Sequence, residues 1–184
     1  MPESLNHIKE KSFYKLLFGR TALPMFTIIG IALLYVLLMS MIDHKSFPFH
    51  IIIAVAALGK TIVITATTLK QFSKLIKICY SLQQLLWVFG SIIFITIFSF
   101  ATDYTCLFLF NATSFEGVSA LSNSYIYSLY HFFYFSVITF SNVGYGDIVP
   151  VSVVAKFVVM LEIFLSFFLI VFTLANLKKI HINE

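Results

Sequence analysis

The sequence predicts an all-α integral membrane protein with four membrane-spanning helices and one short helix that enters the bilayer and returns. Three observations carry this. First, 60% of the 184 residues are hydrophobic and only 11% are charged, and a soluble protein of this size cannot hide so much apolar surface. Second, long apolar runs alternate with short charged stretches. Third, between the last two long runs lies a shorter helix-like segment rich in tyrosine and serine, followed by Gly-Tyr-Gly. The net charge of +4 carries little meaning as a total in such a protein; its distribution between loops does. No nucleic-acid partner is expected.

Residues 1–20 set Lys9, Lys11, Lys15 and Arg20 among Phe13, Tyr14, Leu16, Leu17 and Phe18. This reads as a cytoplasmic interfacial segment, or equally as an ordinary charged tail. The next apolar run is too long for a signal peptide and has no small-residue cleavage site. The first span is expected over about Leu23 to Ile42, where about 20 residues at 1.5 Å each cover roughly 30 Å of hydrocarbon. Pro24 suits its first turn.

The second span is expected over about Phe49 to Leu69. Thr61, Thr65 and Thr68 share one helical face. Lys60 sits near the middle, where a charge costs about 2.5–3.5 kcal/mol on insertion scales, so it should face protein or water. Glu162 is the one acid expected at comparable depth, and the two are expected to pair. Lys70, Lys74 and Lys77 follow at helical spacing, a basic stripe suited to anionic lipid head groups. A voltage sensor is the rival reading, but it would carry a basic residue at every third position within a span, and this chain has no such run.

The third span is expected over about Leu82 to Ala101, with Trp87 as an interface anchor and a polar outer segment from Asp103 to Ser122. Asn111-Ala112-Thr113 matches the glycosylation sequon and is read as chance. Ser122, Asn123 and Ser124 offer N-caps for a helix over about Tyr125 to Phe140, too short and too polar to span. The last span is expected over about Val151 to Leu177, roughly 40 Å by helical rise, and Lys178, Lys179 and His181 stop it. The N-terminus, the Lys70–Lys77 linker and the C-terminus hold nearly all the basic residues. Both termini are therefore expected in the cytoplasm of a multi-pass plasma-membrane protein. Cys79 and Cys106 then lie on opposite sides and do not pair.

The stretch from Tyr134 to Pro150, YFSVITFSNVGYGDIVP, organises the rest. Gly144 and Gly146 permit positive φ. Alternating such residues with ordinary ones turns successive carbonyl oxygens to one side. Four copies around an axis could then surround a cation and replace its water. The helix before it would aim its negative dipole end at the membrane centre, which favours a cation there.

Asn142-Val143-Gly144-Tyr145-Gly146-Asp147 resembles the T-V-G-Y-G-D signature of potassium channels, and the resemblance covers roughly residues 120 to 178. It implies a homotetramer in which three identical subunits complete the path. It also implies K+ bound by the carbonyls of Asn142, Val143, Gly144 and Tyr145, within a filter running to Gly146. No cofactor beyond K+ is implied. By the same resemblance Asp147 bonds Tyr134 behind the filter and draws cations to the mouth, and Thr139 and Ser141 brace the filter. Phe167, Ile170 and Leu174 are expected to face the cavity and inner gate, and Ser166 stands near the family's hinge glycine. Asn142 departs from the usual Thr, whose hydroxyl faces the innermost ion site. A carboxamide is longer and also carries donors.

The expected division is a cytoplasmic segment over 1–20, two peripheral helices and a linker over 21–80, a pore domain over 81–178 and a tail over 179–184. The expected function is passive potassium conduction. A cation channel relaxed in selectivity by Asn142, and a non-conducting regulatory subunit, are the alternatives. A transporter subunit is disfavoured by the single well-formed loop. No enzyme reading competes: Asp103, Glu116 and Asp147 have no His or Cys set at metal-ligand spacing, and His131 reads as a packed ring. A compact chain of this kind is most simply prokaryotic.

Overall fold

The structure, a computed structural model, describes residues 30, 49–75, 82–118 and 124–177. From residue 49 on, four helices follow one another among the described residues: α1 (Phe49–Leu75), α2 (Leu82–Phe110), α3 (Tyr125–Phe140) and α4 (Val153–Leu177). A 3₁₀ turn over Ala112–Ser114 and strand β1 (Phe115–Glu116) lie between α2 and α3, and strand β2 (Val149–Pro150) precedes α4. Among the described residues two helical stretches are long and apolar enough to cross a membrane, Phe89–Phe110 and Val153–Ala175, while α1 contributes a shorter apolar run over Ile51–Ala66. The expected first span over 23–42 lies outside the described residues, apart from Gly30.

The third span ends later than its apolar run suggests. The sequence predicts a stop near Ala101 and a polar outer segment from Asp103. Instead α2 continues to Phe110, and Ser99, Thr102, Asp103 and Thr105 are all buried. The hydroxyls make this tolerable by donating back into their own helix: Thr96 to the Ile92 carbonyl at 2.8 Å, Thr102 to Ser99 at 2.7 Å, Thr105 to Ala101 at 2.7 Å. Such back-bonding meets a hydroxyl's needs without water. Beyond the helix end, the Asn111 side-chain oxygen caps the 3₁₀ turn, accepting from the Thr113 amide at 3.2 Å and hydroxyl at 2.7 Å.

The core is aromatic and lies between α2, α3 and β1. Phe132 and Phe135, one turn apart on α3, meet Tyr104 and Phe108 from α2 and Phe115 from β1. Ring centroids are 4.8 Å apart for Phe115–Phe132, 5.2 Å for Tyr104–Phe135 and 5.4 Å for Phe108–Phe132, within the range of favourable tilted and edge-on pairs. This cluster seats the short helix α3 against α2. Helix α1 packs on both α2 and α4. Ser124 stands at the N-cap of α3, as the sequence suggests, but its side chain makes no cap hydrogen bond. Ser122 and Asn123 lie outside the described residues.

Candidate functional site

The segment after α3 is shaped by how that helix ends. Ser141 is the C-cap, still near helical angles at φ −77° and ψ −2°. Asn142 then turns left-handed, with φ 56°. The Asn142 amide donates to the Thr139 carbonyl at 3.0 Å and the Val143 amide to Ile138 at 3.0 Å, with the Gly144 amide 3.3 Å from the same Ile138 oxygen. A left-handed residue after the cap, with these two crossing bonds, is a Schellman ending. Three successive amides of the expected filter are thereby held against the C-terminus of α3.

Beyond Asn142 the handedness alternates. Gly144 has φ 54° and Gly146 φ 77°, whereas Val143 and Tyr145 keep ordinary negative φ. Among the described residues, no backbone N–H donates to the carbonyls of Asn142 through Gly146. Val143 is 53% exposed and Tyr145 71%.

The chain leaving this segment is clamped by the loop after α2. Strand β1 pairs antiparallel with β2, Phe115 opposite Pro150 and Glu116 opposite Val149. The amides of Val151 and Ser152 donate to the Ser114 carbonyl at 2.9 and 3.3 Å. Gly117, at φ 87°, lies so close to the Asp147 carbonyl that an added Cβ would collide with it. Sequence reasoning missed Ser114 and Gly117. The only signal for Gly117 was a lone glycine in a polar stretch, and the lone glycines at 30, 59 and 90 have nothing near an added Cβ.

The Tyr134 phenol lies near enough to the Asp147 carboxylate to feel its charge, and Tyr145 adds to the field around it. Ser141 does not brace the segment with its side chain. Its hydroxyl donates to the Val137 carbonyl at 2.8 Å, with Ile138 at 3.3 Å, because at a helix end the nearest acceptors are the helix's own carbonyls. Thr139 is buried, and its carbonyl is what takes the Asn142 amide. The His131 ring packs on Tyr127, with centroids 4.5 Å apart.

The expected pairing of Lys60 with Glu162 is not what forms. Lys60 Nζ lies 2.6 Å from Asp103 Oδ1 and 3.4 Å from the Ser99 carbonyl. The error follows from ending the third span too early, which put Asp103 outside. Glu162 instead takes the Tyr104 hydroxyl from α2 at 2.5 Å and the Ser136 hydroxyl from α3 at 2.5 Å. Ser136 also lies 2.9 Å from the Ile97 carbonyl. With one hydrogen to give, its shorter contact is the one to the carboxyl. Three helices thus meet at Glu162, which is fully buried.

On α4, Phe167, Ile170 and Leu174 are exposed at one helical spacing. Ser166 is buried on another side and donates to the Ile163 carbonyl at 2.9 Å. Lys70 and Lys74 fall within α1, but their side chains, and all of Lys77, lie outside the described residues. Cys106 is a buried free thiol, and Cys79 lies outside them too.

A short helix, a left-handed exit, an alternating segment and a long apolar helix occupy one continuous stretch. The family model described as ion channel matches residues 85–182, more than half of the chain. The chain belongs to the ion channel family. The match takes in α2, α3, the alternating segment and α4, the two-span pore domain of potassium-channel type, so the likeness first read from Asn142–Asp147 holds for the family. The channel has no match among curated proteins or solved structures. With its apolar helices it is a membrane protein whose role is ion transport.

Proposed function

We propose that this chain is one subunit of a homotetrameric potassium channel of the plasma membrane, not an enzyme, conducting K+ passively. The observation that carries the reading is the backbone of Asn142–Gly146, whose handedness alternates at every residue while its carbonyls take no backbone hydrogen bond among the described residues. In four copies around an axis, the carbonyls of Asn142, Val143, Gly144 and Tyr145 would replace the hydration shell of a dehydrated cation. The exposure of Val143 and Tyr145 in a single chain supports coverage by three identical copies. No cofactor beyond K+ enters the reading.

In this reading residues 81–178 are the pore domain, with 21–80 as a peripheral layer and both termini cytoplasmic. Tyr134 and Asp147 hold the outer mouth, and Phe167, Ile170 and Leu174 form an apolar ring that closes by dewetting. Lys70, Lys74 and Lys77 meet anionic lipid.

The test is the reversal potential of the reconstituted protein between potassium and sodium solutions. A reversal near the potassium equilibrium potential supports the reading. A reversal near zero favours a second one, a cation channel of relaxed selectivity, which the carboxamide of Asn142 in place of a hydroxyl would produce. A tetramer that conducts under no voltage, pH or lipid condition would mark a regulatory subunit instead.

A further inference from the structure

We propose that Glu162 is held as a neutral carboxylic acid, the middle link of a directed hydrogen-bond chain that runs from the Tyr104 hydroxyl through Glu162 and Ser136 to the Ile97 carbonyl and positions α3. The proton assignment goes beyond the conduction reading and does not need it; the consequence for flux rests on that reading.

Three oxygen-to-oxygen contacts run in series: Tyr104 Oη to Glu162 Oε2 at 2.5 Å, Ser136 Oγ to Glu162 Oε1 at 2.5 Å, and Ser136 Oγ to the Ile97 carbonyl at 2.9 Å. Each is of hydrogen-bond length. A hydroxyl brings one hydrogen, so Tyr104 and Ser136 supply two for three contacts. With Glu162 ionised, Ser136 faces either Oε1 or the Ile97 oxygen with lone pair against lone pair. Tyr104, Ser136 and Glu162 are all fully buried, so bulk water does not supply the third hydrogen. A proton on Oε1 does. Tyr104 then donates to Oε2, Glu162 to Ser136 and Ser136 to Ile97, and every contact has its hydrogen. The 2.5 Å lengths suit an ionised or a neutral carboxyl alike; the number of hydrogens does not.

The charges around it agree. Among the described residues no cation lies within ion-pair distance of Glu162, and Lys60 on α1 is taken by Asp103. Asp103, next to Tyr104 on α2, adds a like charge to its surroundings, and α3 presents the Ser136 hydroxyl. An unpaired carboxylate in an apolar interior is far costlier than a neutral acid with its hydrogen bonds made. The chain of bonds ties α4 and α2 to α3 at Ser136, one turn before Phe140, the last residue of α3. Glu162 is thereby a positioning residue: it fixes α3 close to where the alternating segment begins.

The experiment uses the full-length protein and compares wild type with Glu162→Gln, Tyr104→Phe and Glu162→Leu. The infrared difference between wild type and Glu162→Gln at neutral pH should contain the carbonyl stretch of a protonated carboxylic acid, lost in the glutamine variant. A lost carboxylate band in its place would overturn the proposal. Oε2 is then the carbonyl oxygen that accepts from Tyr104, so Tyr104→Phe should move the band to higher frequency, and an unmoved band would break the proposed direction of the chain. Melting in detergent gives a second sign. Above about pH 4.3 an unfolded glutamate releases a proton that the folded one keeps. Wild type should therefore lose stability relative to Glu162→Gln as pH rises from acid to neutral. An ionised Glu162 held by hydroxyl donors would gain it, and a gain rejects the neutral acid. In lipid vesicles Glu162→Gln, which still offers a donor and an acceptor, should keep potassium flux, whereas Glu162→Leu, which offers neither, should lose it. Equal flux in the two, or equal melting, would reject the positioning role. If the wild type passes no potassium, the conduction reading fails by itself, and the spectra and the melting series still decide the proton and the positioning.

Discussion

Lys60 Nζ sits 2.6 Å from Asp103 Oδ1 with both side chains buried, and this contact joins α1 to α2 inside the apolar layer. Each charge alone would be costly there. Together they explain why a lysine is tolerated in the middle of α1 and why α2 runs on through an aspartate. The second oxygen of Asp103 has no partner among the described residues, so the pair rests chiefly on one contact. Removing one partner is expected to cost about 3–5 kcal/mol. Lys60→Met and Asp103→Leu should each lower the unfolding midpoint in detergent strongly, and the double variant should recover most of the loss. A double variant as unstable as the sum of the singles would show that the two charges act independently.

Glu162 binds α4 to α2 through Tyr104 and to α3 through Ser136. Tyr104→Phe removes one donor and leaves a buried carboxyl oxygen short of a bond, for about 1–3 kcal/mol. Ser136→Ala does the same to the other oxygen. Because both act on one carboxyl, the expected coupling in a double-mutant cycle of melting is about 0.5–3 kcal/mol. Strict additivity would mean that the carboxyl does not link the helices energetically.

Gly117 and Gly59 make a matched pair of tests. An alanine at Gly117 meets the Asp147 carbonyl and a positive φ, so Gly117→Ala should destabilise the fold by more than about 1 kcal/mol and reduce flux by displacing the Asp147 end of the alternating segment. At Gly59, inside α1, nothing lies near the added methyl. There Gly59→Ala should stabilise the helix by roughly 0.5–1 kcal/mol. Equal melting points for the two variants would reject the clamp at Gly117.

Tyr134, on α3, lies near enough to the Asp147 carboxylate to interact with it, and the proposed role is a hydrogen bond that steadies the outer mouth. Tyr134→Phe deletes the donor and keeps the ring, whereas Tyr134→Trp restores a donor on a larger ring. Potassium current should decline faster during sustained activity in the phenylalanine variant than in the wild type, with tryptophan in between. Identical decline in all three would reduce the contact to surface solvation.

The membrane class, the extent of the short helix over Tyr125–Phe140 and the alternating backbone of Asn142–Gly146 were legible in the sequence, because each rests on a local property. Apolar length decides what crosses a bilayer, and glycine spacing decides where positive φ is cheap. The end of α2 was not legible. The stretch from Asp103 onward reads as an outer segment until Lys60, from another helix, is placed against Asp103 and the hydroxyls turn back on their own carbonyls. The partner of Lys60 could not be chosen for the same reason: two acids were available, and depth along a helix is not set by the helix alone. Asn142 carries the same lesson in one residue. Its identity looked like a lost hydroxyl, and only the bonds from its own amide and that of Val143 to Thr139 and Ile138 show how it ends α3. Local chain chemistry determined which segments are apolar enough to cross a membrane and where the alternating segment lies. Tertiary structure decided which buried polar groups meet, because a polar group taken out of water must find its partner in three dimensions.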